Sequence, residues 1–350
     1  MDYGIALAAS ADSWKLAKRA EELGFSQAWF YDTQMLCADV FVAMAAAAVH
    51  TSRIRLGTGV LIPSNRIAPV AANALASLNK LAPGRIVFGV GTGFTGRHTM
   101  GLGPIKLAEL SEYVRVVRAL LAGERVEWES EGKPRKIQFL NPEIGLINVR
   151  DPIPLHLSAM GPKARKLTAH IADGWMNFLF ALPAAVVDVE AMLAEWRSAG
   201  RDVASCYTTG FTLGCVLRDG EPYDSPRVKA QAGPLAAVML HALVERRLPG
   251  GLGPEIDPLL AKYRKIYETY EPADARYLTL HRGHLLFLRP EEEPLITAGL
   301  IRDFTFTGSR DVLVEKLRAL RDAGYRQWTI QLVPGHEEAL DDWVRVIEKV

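Results

Sequence analysis

The chain has 350 residues, 49% of them apolar and 23% charged, which is ordinary composition for a folded globular protein and long enough for one large α/β barrel or two smaller domains. Its 41 lysines and arginines nearly cancel 40 aspartates and glutamates, and a formal charge of +1 leaves no basic footprint for nucleic acid or an anionic membrane surface. Three scattered cysteines, Cys37, Cys206 and Cys215, are too few for a disulfide framework or a zinc site and point to a reducing cytoplasm.

Apolar patterning resolves the chain into alternating strands and helices. Tyr3 to Leu7 reads as a first strand, entered from the N-terminus without a basic, cleavable leader. Ser13 to Leu23 is a helix with Leu16, Ala17, Ala20 and Leu23 on one face and Gly24 as its stop. Gln27 to Tyr31 (QAWFY) is the second strand, and Asp32-Thr33 sits at its carboxyl end. The most apolar run, Val40 to Val49, falls far short of the roughly 20 residues that span a bilayer, so Asp39 to Val49 reads as a buried helix.

The stretch from Arg53 to Gly103 organises the rest. Two β-branched runs, Ile54 to Ile62 and Ile86 to Val90, flank an apolar-periodic helix (Val70, Ala74, Leu75, Leu78, Leu81) that stops at Pro83-Gly84. This is a βαβ unit, right-handed by the usual rule, and strands apolar on both faces belong in a parallel sheet covered by helices. Each strand ends in glycine-rich backbone, Gly57-Thr58-Gly59 and Gly91-Thr92-Gly93, where parallel α/β folds place their ligands.

Lys106 to Leu121 is a further amphipathic helix, after which the rhythm breaks. Residues 124–150 alternate charges with short β-prone pieces and read as a polar hairpin insertion. Regularity returns with a strand from Ile153 to Ser158, a Gly161-Pro162-Lys163 turn, a helix to Ile171, a strand from Trp175 to Phe178, a helix from Ala184 to Ala199 and a strand from Tyr207 to Leu217. Residues 218–300 are helical but broken by GEPYDSP, LPGGLGP and RGHLLFLRP, and read as a second, helical insertion. Ser309 to Ala323 is a helix, Gln327 to Leu332 the last strand and Glu337 to Val350 a final helix. Eight strands with helices between them predict a single (β/α)8 TIM barrel over residues 1–350, its active site gathered at the carboxyl ends of the strands.

Several of these strand-end residues carry chemistry. Gly91, Thr92 and Gly93 expose backbone amides to a close ligand, or simply make a tight βα turn. The turn Ser158, Ala159, Met160, Gly161, Pro162, Lys163 leads into a helix N-terminus with a proline in its first turn, which suits a phosphate as well as a solvated cap. In the polar loop after Gly93, Arg97 is a candidate anion contact and His98 a candidate acid or base, against the plain alternative of solvated side chains. Asp32 is a candidate catalytic or anchoring carboxylate, or a turn cap. His156, on a buried strand, reads as a core histidine, and Trp29, Phe30, Tyr31, Trp175 and Phe178 either wall a planar ligand or belong to the core. No Ser-His-Asp order, HExxH or CxxC is present, so neither metal nor covalent hydrolase chemistry is predicted.

Four segments, RIRLGTGVLIPSNRIAP, ALASLNKLAPGRIVFGVGTG, SAMGPKARKLTAHIADGWM and LVEKLRALRDAGYRQWTIQL, together resemble the luciferase-like flavin-dependent oxidoreductase family. The resemblance implies a barrel that binds a flavin: reduced FMN in monooxygenases, often fed by a separate reductase, or the 8-hydroxy-5-deazaflavin coenzyme in a sister branch that transfers hydride. It also implies a non-prolyl cis peptide at Gly59-Val60, so that Thr58, Gly59 and Val60 join the cofactor-binding residues, and an assembly of identical subunits, for which Leu235, Val238, Leu240 and Leu243 offer apolar surface if they do not pack on the chain's own barrel. Two departures stand out. The Asp-His pair of the deazaflavin dehydrogenases is Asp32-Thr33 here, and their glutamate after the glycine turn is Phe94, which points away from the alcohol-oxidising subclass.

The expected function is therefore an FMN-dependent monooxygenase that uses reduced flavin and O2 on a small organic substrate. A deazaflavin-dependent reductase of an unsaturated acceptor is the first alternative, and a flavin-binding relative without turnover the second. All rest on one geometric expectation: the turns near positions 59, 92 and 161 must converge on a single mouth.

Overall fold

A strand that is apolar on both faces is satisfied only when helices cover one face and a packed interior the other. In the computed structural model, which describes residues 1–245 and 256–350, this is achieved by a closed barrel of eight parallel strands wrapped by helices. The first half alternates strictly: β1 (Asp2–Leu7), α1 (Ser13–Glu22), β2 (Gln27–Phe30), α2 (Val40–His50), β3 (Arg55–Thr58), α3 (Ala68–Leu81) and β4 (Ile86–Val90). The short α4 (Phe94–His98) and then α5 (Leu107–Leu121) precede an antiparallel hairpin of β5 (Val126–Ser130) with β6 (Lys133–Ile137). The alternation resumes with β7 (Leu155–Ser158), α6 (Pro162–Ile171), β8 (Gly174–Phe178), α7 (Leu182–Ser198) and β9 (Tyr207–Thr212). After β10 (Val216–Leu217) come α8 (Pro226–Val244), α9 (Ile256–Glu268), α10 (Tyr277–Leu280) and α11 (Ala298–Phe304), then β11 (Gly308–Ser309), α12 (Arg310–Ala323), β12 (Gln327–Gln331) and α13 (Ala339–Ile347).

Around the barrel the strand order is β1-β12-β9-β8-β7-β4-β3-β2. The predicted (β/α)8 barrel is thus the observed one. β2, β3, β4 and β7 are parallel neighbours, so their carboxyl ends share one rim. The polar hairpin and the helical insertion fall where charge pattern and breakers placed them, although the LPGGLGP break at 248–254 lies outside the described residues. Among the described residues, no helix is long and apolar enough to cross a membrane.

Trp29 fills the barrel interior. Register sets it opposite Gly57, where a Cβ would come within 2.5 Å of its ring, and a Cβ at Gly89 would come within 3.1 Å. Its indole Nε1 donates to Gln327 Oε1 at 2.9 Å. Ala6, Val87, Met176 and Phe211 complete this plug, against which Tyr31, Val60 and Phe178 pack from the strand ends. A separate apolar core, between the insertion and the segment after β9, contains Leu213, Cys215, Leu260 and Tyr263. Leu235, Leu240 and Leu243 are buried in that second core, so α8 spends its apolar face on its own chain.

Three expectations shift in detail. The third strand, predicted to run to Ile62, stops at Thr58, and only Leu61 rejoins the sheet as an isolated bridge to Val90. The polar loop after Gly93 coils at once into α4, begun by Gly93 at φ +81°, a left-handed conformation that glycine adopts without a Cβ penalty. The strand predicted from Tyr207 to Leu217 is broken after Thr212, and its second piece, β10, pairs with β11 outside the barrel.

Candidate active site

The turns after β3, β4 and β7 meet at one mouth. Following β3, the Gly59–Val60 peptide is cis, as the resemblance implied. Thr58 Oγ1 donates to Gly89 O at 2.6 Å, Leu61 N to the same carbonyl at 2.8 Å and Gly91 N to Leu61 O at 3.2 Å, which locks the end of β3 onto β4. Gly91 stands between Val60 and Ser158: a Cβ there would lie 3.0 Å from Val60 Cγ2 and 3.3 Å from Ser158 Cβ. Only a glycine lets these three strand ends approach so closely. The floor beneath them is the apolar plug of the barrel.

The turn after β7 is held from behind. Trp175 faces outward on β8 and donates its Nε1 to Ala159 O at 2.7 Å, while Arg165 Nη1 donates to Met160 O at 2.5 Å and to Asp188 Oδ1 at 3.2 Å. Gly161 is the N-cap of α6, without a side-chain cap bond, and Pro162 occupies its first turn. The free first-turn amides of a ten-residue helix therefore open beside Ser158, and a Cβ on Gly161 would meet nothing within 4 Å. Met160, Gly161, Pro162 and Lys163 are exposed, whereas Ala159 is buried. Amides, helix dipole and the Lys163 charge together suit an anionic group such as a phosphate.

Asp32 lies at the centre of a network that joins three loops. Its carboxylate is 3% exposed and accepts from Ile62 N at 3.0 Å, Asn65 Nδ2 at 3.2 Å and Arg66 Nη1 at 2.9 Å. Arg66 also pairs with Asp39, the cap of α2. Asn65 Nδ2 reaches Gln34 Oε1 at 2.8 Å, and Gln34 Nε2 reaches Gly96 O at 3.1 Å in α4. Three protein donors thus engage Asp32, and what it fixes is the relative placement of the loops after β2, β3 and β4.

On α4, the Arg97 side chain folds back to donate from Nε to Gly103 O at 2.5 Å, and its stem packs beside Gly93. Thr92 is half-buried, and its carbonyl accepts from Ile105 N at 3.0 Å. The His98 ring meets Phe94 edge-on at 4.4 Å and lies nearly parallel to His281 at 6.1 Å.

Among the predicted aromatics, Trp29 is interior plug and Phe30 and Trp175 pack in the outer core, leaving Tyr31 and Phe178 at the mouth. The Tyr31 hydroxyl is buried with no hydrogen-bond partner among the described residues, and burial pushes its pKa well above the ordinary value, so it stays a neutral donor. His156 is core, its ring 5.7 Å from Trp29 and 5.3 Å from Tyr207. Burial first, and the Arg55 charge second, hold its pKa down at about 3.

Sequence reasoning passed over Gln34, Asn65, Arg66 and Arg165, polar residues whose partners are distant in the chain or belong to backbone, and the histidines of the insertion. The RGH break, with His281 three residues before His284, was the one local signal of the latter.

Comparison with known proteins places this geometry among relatives. The family model for luciferase-like monooxygenases matches residues 7–327. A 5,10-methylenetetrahydromethanopterin reductase of Methanolobus tindarius is 30% identical over 207 residues, 58% of this chain and 61% of that protein. An F420-dependent glucose-6-phosphate dehydrogenase of Nakamurella multipartita is 35% identical over 204 residues, 53% of this chain and 58% of that one. The chain thus spans about three fifths of these curated relatives. Among solved structures, the coenzyme F420-dependent tetrahydromethanopterin reductase of Methanopyrus kandleri superposes with a TM-score of 0.68 at 22% identity, covering 97% of this chain and 96% of that one, a likeness of fold.

Proposed function

The chain belongs to the luciferase-like monooxygenase family, and on that premise we propose that it is an F420-type, deazaflavin-dependent oxidoreductase that reduces a small unsaturated or nitro-bearing acceptor. The observation that carries the reading is the convergence of the Gly59–Val60 turn, Gly91 and the Ser158 turn on one apolar-floored mouth, with the α6 N-terminus beside it. The F420 branch is favoured over FMN because the curated relative at 35% identity is named for that cofactor.

The residues present fit such a group. The bound deazaflavin would supply the hydride. Thr58, Gly59, Val60 and Gly91 to Gly93 would form the wall against its ring, and the amides of Gly161 and Lys163 would hold its phosphate. The Tyr31 hydroxyl, buried and without a partner among the described residues, would donate to a polar ring or substrate atom. Asp32, through Arg66 and Asn65, keeps the surrounding loops in register. His98, on the short helix beside the mouth, is assigned the proton that the acceptor takes up with the hydride. The reductive direction follows from Thr33 and Phe94, which stand where the resemblance places the proton-handling residues of alcohol oxidation.

The same two departures, with a floor of Trp29, Val60 and Phe178 that excludes water, favour a second reading as an FMN-dependent monooxygenase. Parallel titrations with oxidised F420 and FMN, followed by oxidation of reduced F420 against a panel of enones and nitro compounds, separate the two. F420 binding with turnover lost in Lys163→Ala and His98→Ala supports the proposal. FMN binding without F420 binding replaces it with the second reading.

A further inference from the structure

The helical insertion brings together three histidines, one of them at least 40 residues upstream of the other two in the chain. His241 is near the end of α8, and His281 and His284 flank a tight turn directly after α10. Their relative exposures are 3%, 2% and 9%, and ring centroids are 5.6 to 6.4 Å apart. One ring nitrogen of each lies within 4.8 Å of the others.

The protonation of one ring can be read from its neighbours. His241 Nε2 lies 2.6 Å from Glu292 Oε1, and that carboxylate also takes the Tyr263 hydroxyl at 2.9 Å and the Arg289 guanidinium. Arg289 carries a fixed positive charge and, like the Tyr263 hydroxyl, donates to Glu292, so the carboxylate acts as the acceptor in this network. The His241 proton is therefore on Nε2. Nδ1, the ring's other nitrogen, is buried and has no hydrogen-bond partner among the described residues. An imidazole oriented by a carboxylate through its other nitrogen is the arrangement found at metal-ligating histidines.

The turn that carries the other two rings is held in an unusual backbone shape. Gly283 has φ +74°, and Leu285, a residue with a Cβ, has φ +60°. Leu285 O accepts from Gln331 Nε2 at 3.0 Å, which docks the turn on the carboxyl end of β12, and His284 Nε2 lies 3.3 Å from Thr95 Oγ1 of α4. The cluster therefore sits at the seam between the insertion and the barrel rim.

We propose that His241, His281 and His284 form a binding site for a divalent transition metal, zinc by preference, with Glu292 orienting His241 from the second sphere. Imidazole ligands suit zinc, copper, iron and nickel and not magnesium or calcium. With bonds of about 2.0 to 2.1 Å, tetrahedral zinc needs its ligand nitrogens about 3.3 Å apart, so the rings close by small side-chain rotations around the ion. Three protein ligands leave a fourth position for water or a polar group, and the ion would clamp the 281–285 turn to α8 directly above α4. The inference holds whichever flavin the mouth binds.

Metal-stripped, full-length protein titrated with Co(II) and then Zn(II) tests the assignment. One equivalent of Co(II) with the visible bands of a low-coordinate nitrogen site, displaced by Zn(II), is expected. His241→Asn and His284→Asn should each weaken binding by at least about 10-fold, as loss of even an outer-sphere partner does, while His170→Asn on the exposed face of α6 leaves it unchanged. Should a histidine variant fail to fold, X-ray absorption on the zinc-loaded wild-type protein counts the imidazoles, and three support the site. Fewer than three imidazoles, no binding tighter than about 10 μM, a micromolar value being ordinary for weak association, or binding undiminished in both folded variants overturns it.

Discussion

Arg66 offers the sharpest test of how the strand-end loops are held. Its guanidinium is 16% exposed and bridges Asp32, 3% exposed, and Asp39, 47% exposed. Arg66→Met keeps most of the stem packed near Phe41 but leaves the Asp32 charge buried with only Ile62 N and Asn65 Nδ2 as donors. Removing one member of a buried pair costs about 3–5 kcal/mol, and the two surviving donors set this case at the lower end, about 3 kcal/mol. The exposed Asp39 arm adds less than about 1 kcal/mol. Pairing the change with Asp32→Asn removes the stranded charge, so the double variant should recover about 1–2 kcal/mol over the single one. Urea unfolding of the wild type, both single variants and the double variant measures this directly. A loss below about 1 kcal/mol in Arg66→Met, beneath the range for a broken buried pair, or a double variant no more stable than the single, would refute the view that a buried carboxylate organises these loops.

Acid should destabilise the fold through His156. The folded state holds its pKa near 3 against about 6.5 when unfolded, so the unfolded chain takes up the proton first as pH falls below 6.5, and stability drops by about 1.36 kcal/mol per pH unit until about pH 3. At pH 5 that amounts to about 2 kcal/mol, and unfolding free energies of wild type and His156→Gln between pH 7.5 and 5 should diverge by that much; parallel slopes would exclude it. Gly91→Ala should push Val60 and Ser158 apart at a cost of about 1–3 kcal/mol and weaken cofactor binding about tenfold, read by thermal melts and cofactor titration; unchanged affinity would place the cofactor elsewhere. Trp175→Phe removes the bond to Ala159 O, worth about 1 kcal/mol, and should raise the cofactor Kd more than it lowers Tm; an equal affinity in the variant would free the turn after β7 from any part in binding.

The barrel was legible because its signals are local. Strands such as IVFGV are apolar on both faces, helices such as that from Ser13 end at glycine, and the GVGTG and MGPK turns mark the strand ends where a parallel barrel puts its ligands. That the turns after β3, β4 and β7 touch follows from strand order, which the alternation of elements implied once the sheet was closed. The sequence by itself could not say what each side chain does at that rim. Asp32 could be read as an anchor or as a turn cap, and Arg66, 34 positions on, decides its role, while Trp29 and Trp175, both aromatic strand residues, are divided between interior plug and backing of the turn after β7 only by the side of the pleat they occupy.

The histidine cluster lay furthest from view. His241 and His281 are 40 residues apart in an irregular helical excursion, and their meeting depends on how α8 packs against a turn docked on β12. Periodicity and turn chemistry determined the architecture, because hydrophobic burial acts on neighbours in sequence. Tertiary packing alone decided which polar groups confront one another, because hydrogen bonds and ion pairs act over a few ångströms and take no account of distance along the chain.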